Sequence, residues 1–205
     1  MKQPFPGHLT SARLLLRPLH PGDAEALCAY RSLPEVARYQ SWESFGPDDA
    51  ARLIEAQRTA QPDVPGTWFQ LAFVETATGR VIGDCGLHCL QEDGRQMEMG
   101  ITLSPQYQGR GYATEAVECV LHYLFGTLHK HRVLASTDAL NHRAAALFRR
   151  LGFRQEAHLV ESLWFKVNGA ANTSSHCSSA SGKLVTPKKT STPPDPRSPL
   201  PDARS

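Results

Sequence analysis

The 205-residue chain lacks several things, and each absence removes a class of function. It has no run of about eighteen consecutive apolar residues, and its start shows no charged, apolar and small-residue succession of the kind that directs secretion. These gaps predict a soluble, cytoplasmic protein with no membrane partner. The five cysteines, Cys28, Cys85, Cys89, Cys119 and Cys177, show neither paired spacing nor a Cys-x-x-Cys unit. A disulfide framework or a zinc site is therefore not expected. Nine histidines include the close set His122, His129 and His131, but these would fall on different helix faces, so no metal is implied. The formal net charge of +2 is uneven: the segment from Asn168 onward carries five basic and two acidic residues, which leaves the body near −1. Such a body offers no basic footprint for nucleic acid.

What is present begins with a glycine-rich turn. From Ala113 onward, Ala116, Val117, Val120, Leu121, Leu124, Phe125 and Leu128 hold the helical period for about four turns. Just before them, Gln108-Gly-Arg-Gly-Tyr-Ala-Thr114 offers consecutive backbone N–H groups, two glycines and the positive end of a helix dipole, which together suit a phosphate or pyrophosphate. A P-loop would need Lys and then Ser or Thr after its last glycine, but Tyr112 and Ala113 follow Gly111. A dinucleotide fingerprint would need a small residue where Thr114 stands, within a strand–helix–strand repeat.

The rest of the chain reads as strands first, then helices alternating with strands. Ala12 to Leu19 is a short strand stopped by Pro18 and Pro21. Asp23 can cap a helix to about Arg31, Pro34 to Tyr39 reads as another, and Asp48 can cap a third to Gln57. Trp68 to Val74, Val81 to Leu87 and Gln96 to Leu103 form an antiparallel meander. After the long helix come a strand from Arg132 to Asp138, parallel to its predecessor, a helix capped by Asn141 and ended by Gly152, and a strand from about Phe153 to Phe165. This is an α+β arrangement around one mixed sheet.

Gln108-Gly-Arg-Gly-Tyr-Ala113 fits the Q/R-x-x-G-x-G/A signature, and other motifs stand in order around it. They are Ala12-Arg-Leu-Leu-Leu-Arg-Pro-Leu19, Asp23-Ala-Glu-Ala-Leu27, Pro34-Glu-Val-Ala-Arg38, Gly83-x-x-Gly86, Glu98-x-Gly100 and Asn141 through Leu151-Gly-Phe153. On these the chain resembles the GNAT superfamily of N-acetyltransferases, and within it the branch of ribosomal-protein N-terminal acetyltransferases. The resemblance implies one domain over residues 1–167, with a mixed, mostly antiparallel sheet flanked by helices, and acetyl-CoA as cosubstrate. It places coenzyme contacts on Ile101 and Leu103, on Gln108, Gly109, Arg110, Gly111, Tyr112, Ala113 and Thr114, and on Asn141.

Acetyl transfer to an amine needs a neutral nucleophile, and free amines near neutrality are mostly protonated, so a carboxylate or an ordered water must take a proton. Glu98, on the strand before the loop, is the candidate base; the alternatives are that it pairs with Arg95 or faces water. Asp84, Glu115 and Glu118 are weaker candidates. Backbone N–H groups near Ile101 could hold the developing oxyanion. The Asn-x-x-Ser pattern of many relatives reads Asn141-His-Arg-Ala144 here, so the leaving thiolate lacks that hydroxyl, and His142 or Tyr112 is left as a weak donor. Direct attack in a ternary complex is expected, since no cysteine sits in a recognisable His–acid set.

After Lys166 the chain departs from the resemblance. The last strand of the sheet is expected to be missing, and residues 168–205, rich in Ser, Thr and Pro, read as a disordered tail in which only Lys183-Leu-Val-Thr186 has strand propensity and could pair weakly with the exposed edge. An open edge beside Leu163-Trp-Phe165 then predicts a homodimer. The acceptor stays open between a protein N-terminal amine and a small-molecule amine such as a polyamine or an aminoglycoside. A catalytically impaired acetyl-CoA binder is the third possibility.

Overall fold

The computed structural model describes residues 5–90, 94–159 and 181–185. The chain opens with β1 (Leu9–Thr10) and β2 (Leu14–Pro18), paired antiparallel. Leu14 and Leu16 alternate inward and are fully buried, as period-two patterning requires. A 3₁₀ turn, Pro21–Asp23, leads into α1 (Ala24–Arg31). Asp23 stands at the N-cap as expected, but its carboxylate does not cap α1. It accepts the His20 N–H at 2.7 Å and pairs with both terminal nitrogens of Arg17 at 2.7 and 2.8 Å, closing the turn before the helix instead. Burial alone would raise this carboxyl, yet Arg17 and the His20 amide hold it below the usual carboxylate range.

Next come α2 (Pro34–Ala37) and α3 (Pro47–Gln57). Asp48 does not cap α3; Gly46 is the N-cap, and Asp49 reaches back to its N–H at 2.8 Å, because Pro47 at the first helical position puts the cap on Gly46 rather than on Asp48. The meander follows as β3 (Trp68–Glu75), β4 (Val81–Cys89) and β5 (Gln96–Leu103). After the Pro105–Tyr107 turn, α4 (Tyr112–His122) continues into a π-helical turn, Tyr123–Thr127. The apolar period thus runs on to Leu128 while the α-helix stops near Tyr123. Then come β6 (Arg132–Asp138), α5 (His142–Arg150), β7 (Arg154–Leu159) and β8 (Ser181–Val185).

Among the described residues the strands form one mixed sheet in the order β1-β2-β3-β4-β5-β6-β8-β7. Only β5 and β6 run parallel, as the crossover through α4 dictates. One face packs against α4, with Phe69, Leu71, Phe73, Leu87, Met97 and Met99 meeting Ala116, Val117, Val120 and Leu124. The other carries α1 and α3 through Leu27, Tyr30, Ala50, Ile54 and Ala72. Each fully buried leucine here contributes about 1.5–3 kcal/mol to holding the layers together.

The α+β fold is as expected, with one correction. Ser181–Val185 does not belong to a disordered tail: it pairs antiparallel with β6 on one side and β7 on the other, so the closing strand of the sheet is present. The strand is central rather than an edge, and the backbone hydrogen bonds on both its sides outweigh the weak local propensity of a polar neighbourhood. The remaining tail residues and the expected edge at Leu163 to Phe165 lie outside the described residues. Among the described residues, no helix is long and apolar enough to cross a membrane.

Candidate active site

The parallel pairing of β5 with β6 covers only Gln96–Met99 against Arg132–Ala135. Beyond that point β5 runs on as Gly100–Leu103, held by β4, while β6 runs on as Ser136–Asp138, held by β8. The two strands therefore splay into a wedge. The Thr102 carbonyl lies against Gly83 of β4. Strand alternation then turns the backbone polar groups of Ile101 and Leu103 toward the wedge. A Cβ built on Gly100 would meet nothing within 4 Å, so the floor beside the wedge is open.

At the wide end stands the glycine turn. Gly109 and Gly111 have φ of +74° and +84°, the left-handed region that side chains disfavour, and Gly111 is the N-cap of α4. The first turn of α4, with Tyr112, Ala113 and Thr114, points its unpaired N–H groups back over this turn. Arg13 of the β1–β2 connection ties it down. Its backbone N–H and its Nε donate to Glu115 at 2.6 and 2.7 Å, its Nη1 donates to the Arg110 carbonyl at 3.1 Å, and its guanidinium lies 4.2 Å from the centre of the Tyr112 ring. Ser11 adds a hydroxyl to the same carboxylate at 2.8 Å. Burial would raise Glu115, but the Ser11 and Arg13 donors keep it lowered. Glu115 is thus a clamp for the loop and not a free base.

Tyr112 is equally committed. Its hydroxyl donates to Glu75 at the end of β3, and that bond raises its pKa above the ordinary tyrosine value. Gln108 bridges two elements: its amide nitrogen donates to the Leu103 carbonyl at 3.0 Å, and its amide oxygen accepts from Arg143 at 3.4 Å. That contact brings the start of α5 beside the loop. There Asn141 caps the helix, accepting the Ala144 N–H at 3.1 Å, while His142 is exposed.

Glu98 stands at the apex of the wedge. Cross-strand register sets Trp68, His88, Glu98 and Leu134 in one row over four strands, on the face opposite α4. The indole of Trp68 stacks on the His88 ring with centroids 4.8 Å apart and planes 10° apart. Ser136 donates to Glu98 Oε1 at 2.9 Å, and His88 Nδ1 lies 3.8 Å from Oε2. The Glu98 side chain keeps 30% of its exposure. Reading the sequence alone missed Arg13, Trp68, His88 and Ser136. Arg13 lay inside a quoted motif, and exact strand register would have placed the other three beside Glu98.

The weaker candidate Asp84 proves structural. It is 1% exposed and receives Tyr30, both ends of the Arg31 guanidinium and Gln70 Nε2. Glu118 is exposed on α4. Among the described residues no group of three or more His, Cys, Asp or Glu side chains could hold a metal ion.

Residues 13–154 match the family model described as acetyltransferase (GNAT) domain. The uncharacterized N-acetyltransferase p20 of Bacillus licheniformis is 30% identical over 74% of this chain and 84% of its own length. A spermidine N(1)-acetyltransferase of Escherichia coli K12 is 33% identical over 47% of this chain and 51% of its own. In fold the chain is similar to the spermidine N-acetyltransferase of Vibrio cholerae solved in complex with CoA and spermine, at TM-score 0.69 and 22% identity over 85% of this chain and 95% of that one. With the wedge, the left-handed glycine turn and the helix start arranged as described, the chain belongs to the GNAT family and is an N-acetyltransferase.

Proposed function

We propose that the protein transfers the acetyl group of acetyl-CoA to a primary amine by direct attack in a ternary complex, with Glu98 as the base. The observation that carries this reading is the place of Glu98: a half-exposed carboxylate at the apex of the wedge, one oxygen fixed by Ser136 and the other turned toward solvent and His88. The residues present fit the coenzyme. Two left-handed glycines leave the turn without side chains that would block a pyrophosphate. The N–H groups of Gly109 to Thr114 would hold it, with Arg110 and Gln108 at its flank. Ile101 and Leu103 would meet the pantetheine amides in the wedge, and Asn141 would meet its far side. The Ile101 N–H would face the thioester oxygen as negative charge develops there.

Bound there, acetyl-CoA supplies the activated acyl group. Glu98 takes a proton from the incoming amine, the amine nitrogen bonds to the acyl carbon, and the carbon–sulfur bond breaks. With Tyr112 tied to Glu75, no tyrosine or serine of the loop serves the thiolate, which departs with the second proton of the nitrogen. A polyamine acceptor would favour a dense acidic cleft. Of the acids at and before the start of α3, Asp49 is already engaged by the Gly46 N–H and Arg52, while Glu43 and Asp48 are exposed. A protein N-terminal amine is therefore the first reading. The impaired-binder reading rested on a lost last strand, whose place β8 fills.

Coenzyme A titration by calorimetry, then thiol release from acetyl-CoA with spermidine and with a peptide bearing a free N-terminal serine, tests the reading. Glu98→Gln should lower kcat by about two to four decades and leave coenzyme affinity nearly unchanged. Undiminished turnover in that variant would remove Glu98 from the role of base.

A further inference from the structure

Resting on Glu98 as base, we infer that His88 and Ser136 are positioning residues that act through it, and that His88 relays its proton to solvent. The three belong to different strands and meet only because of register. His88 is the direct partner of Glu98 on β4, and Ser136 stands two residues beyond Leu134, its partner on β6. Ser136 is therefore already on the far arm of the wedge, past the last β5–β6 pair. Its hydroxyl spans that gap to Oε1 at 2.9 Å and holds the carboxylate across the opening.

Oε2, the oxygen that Ser136 leaves alone, is the one facing His88 Nδ1 at 3.8 Å. That separation is too long for a hydrogen bond; a small rotation of the carboxylate or one bridging water closes it. The imidazole plane is set by the Trp68 indole lying flat against it. Trp68 is in turn seated over Gly86, where a Cβ would meet the indole at 3.0 Å. A glycine at 86 and an open one at 100, paired across β4 and β5, thus leave the floor bare beside the ring pair and the carboxylate.

The proton steps balance. The ammonium N–H bond breaks and its proton moves to Oε2. The nitrogen lone pair then forms the bond to the acyl carbon, while the carbon–sulfur pair leaves with the thiolate, which takes the second nitrogen proton. Oε2 passes its proton to Nδ1 of a His88 ring carrying its hydrogen on Nε2, the Nε2 proton is released to water, and exchange with solvent returns the ring to the Nε2–H tautomer for the next turnover. The carboxylate is restored. An imidazole suits the middle place because its two ring nitrogens can accept a proton on one side and release one on the other. A His88 with no link to Glu98 would serve only as packing for Trp68.

A double-mutant cycle separates these roles, using thiol release with whichever of spermidine and the serine peptide turns over faster. His88→Asn and Ser136→Ala should each lower kcat by roughly ten- to a hundredfold, with KM for acetyl-CoA moved less than about twofold. In the Glu98→Gln background each should cost less than about twofold more, since the group it acts through is gone. Ser136→Thr, which keeps the hydroxyl, should recover most of the rate, and free imidazole should partly restore His88→Ala. Full additivity in the Glu98→Gln background, or unchanged kcat in both single variants, overturns the inference and leaves Glu98 as base intact. Undiminished turnover in Glu98→Gln, or no thiol release by the unaltered protein with either acceptor, overturns both.

Discussion

Asp84 and Glu98 project from the same face of the sheet on neighbouring strands, yet their surroundings differ in every respect that decides what a carboxylate can do. Asp84 lies under α1 at the centre of the sheet and is saturated: a tyrosine hydroxyl, a guanidinium and an amide fill its acceptor sites, and Arg31 itself lies over the Trp42 and Phe45 rings. Glu98 lies where the sheet divides and has one firm donor, one distant imidazole and access to water. Burial with full hydrogen bonding makes an acid inert and expensive to remove. Partial burial with an oxygen left over makes one available for proton transfer.

Stability should separate the pair most widely. Asp84→Asn leaves the buried Arg31 charge uncompensated and should cost about 3–5 kcal/mol of unfolding free energy, read by urea denaturation. Glu98→Gln should cost less than about 0.5 kcal/mol. Equal losses would show that the two acids share one structural role. On the coenzyme side, Gly111→Val forces a β-branched residue into the left-handed region at a cost of about 1–2 kcal/mol, with its Cβ 3.3 Å from Arg13 Nη2. The folded variant should bind coenzyme A at least about tenfold more weakly by calorimetry; unchanged affinity would take the phosphate role away from this turn.

Asn141→Ala removes one helix cap and should cost about 1 kcal/mol, with a rise in KM for acetyl-CoA only if the side chain also meets the coenzyme. The smallest effect concerns acid. Asp23 and Glu115 are both held below their ordinary values, so their stabilisation is complete above the usual carboxylate range and disappears as pH falls through the lowered values. The melting temperature should thus fall below about pH 5, and Asp23→Asn should make that slope shallower.

The split between the two acids also marks what could be read in advance. Gly111 at a helix start, Asn141 as a cap and the alternation of β2 to β5 are local signals, written within a few residues of where they act. The fate of Asp84 depended on Arg31, 53 residues away, and the neighbours of Glu98 depended on a register shared by four strands. Local pattern predicts a strand but does not say which residue faces which across it. Asp48 and Pro47 show the same limit at short range, where a proline at the first helical position put the cap on Gly46 instead of Asp48. β8 was legible only in part: Lys183 to Thr186 showed strand propensity, but its place between β6 and β7 was not, because a strand held from both sides needs little propensity of its own.

That strand also dictates an order of assembly. β2 to β5 are consecutive strands paired in turn, so their half of the sheet can form as each strand leaves the ribosome. β8 comes after both β6 and β7 in the chain and must slot between them. Until residue 185 has been synthesised, β6 and β7 have no strand to join them, and the wedge between β5 and β6 has only one of its arms braced. During translation, β6 therefore has an unpaired edge after the glycine turn has already been made, and that interval exposes the nascent chain to wrong pairing.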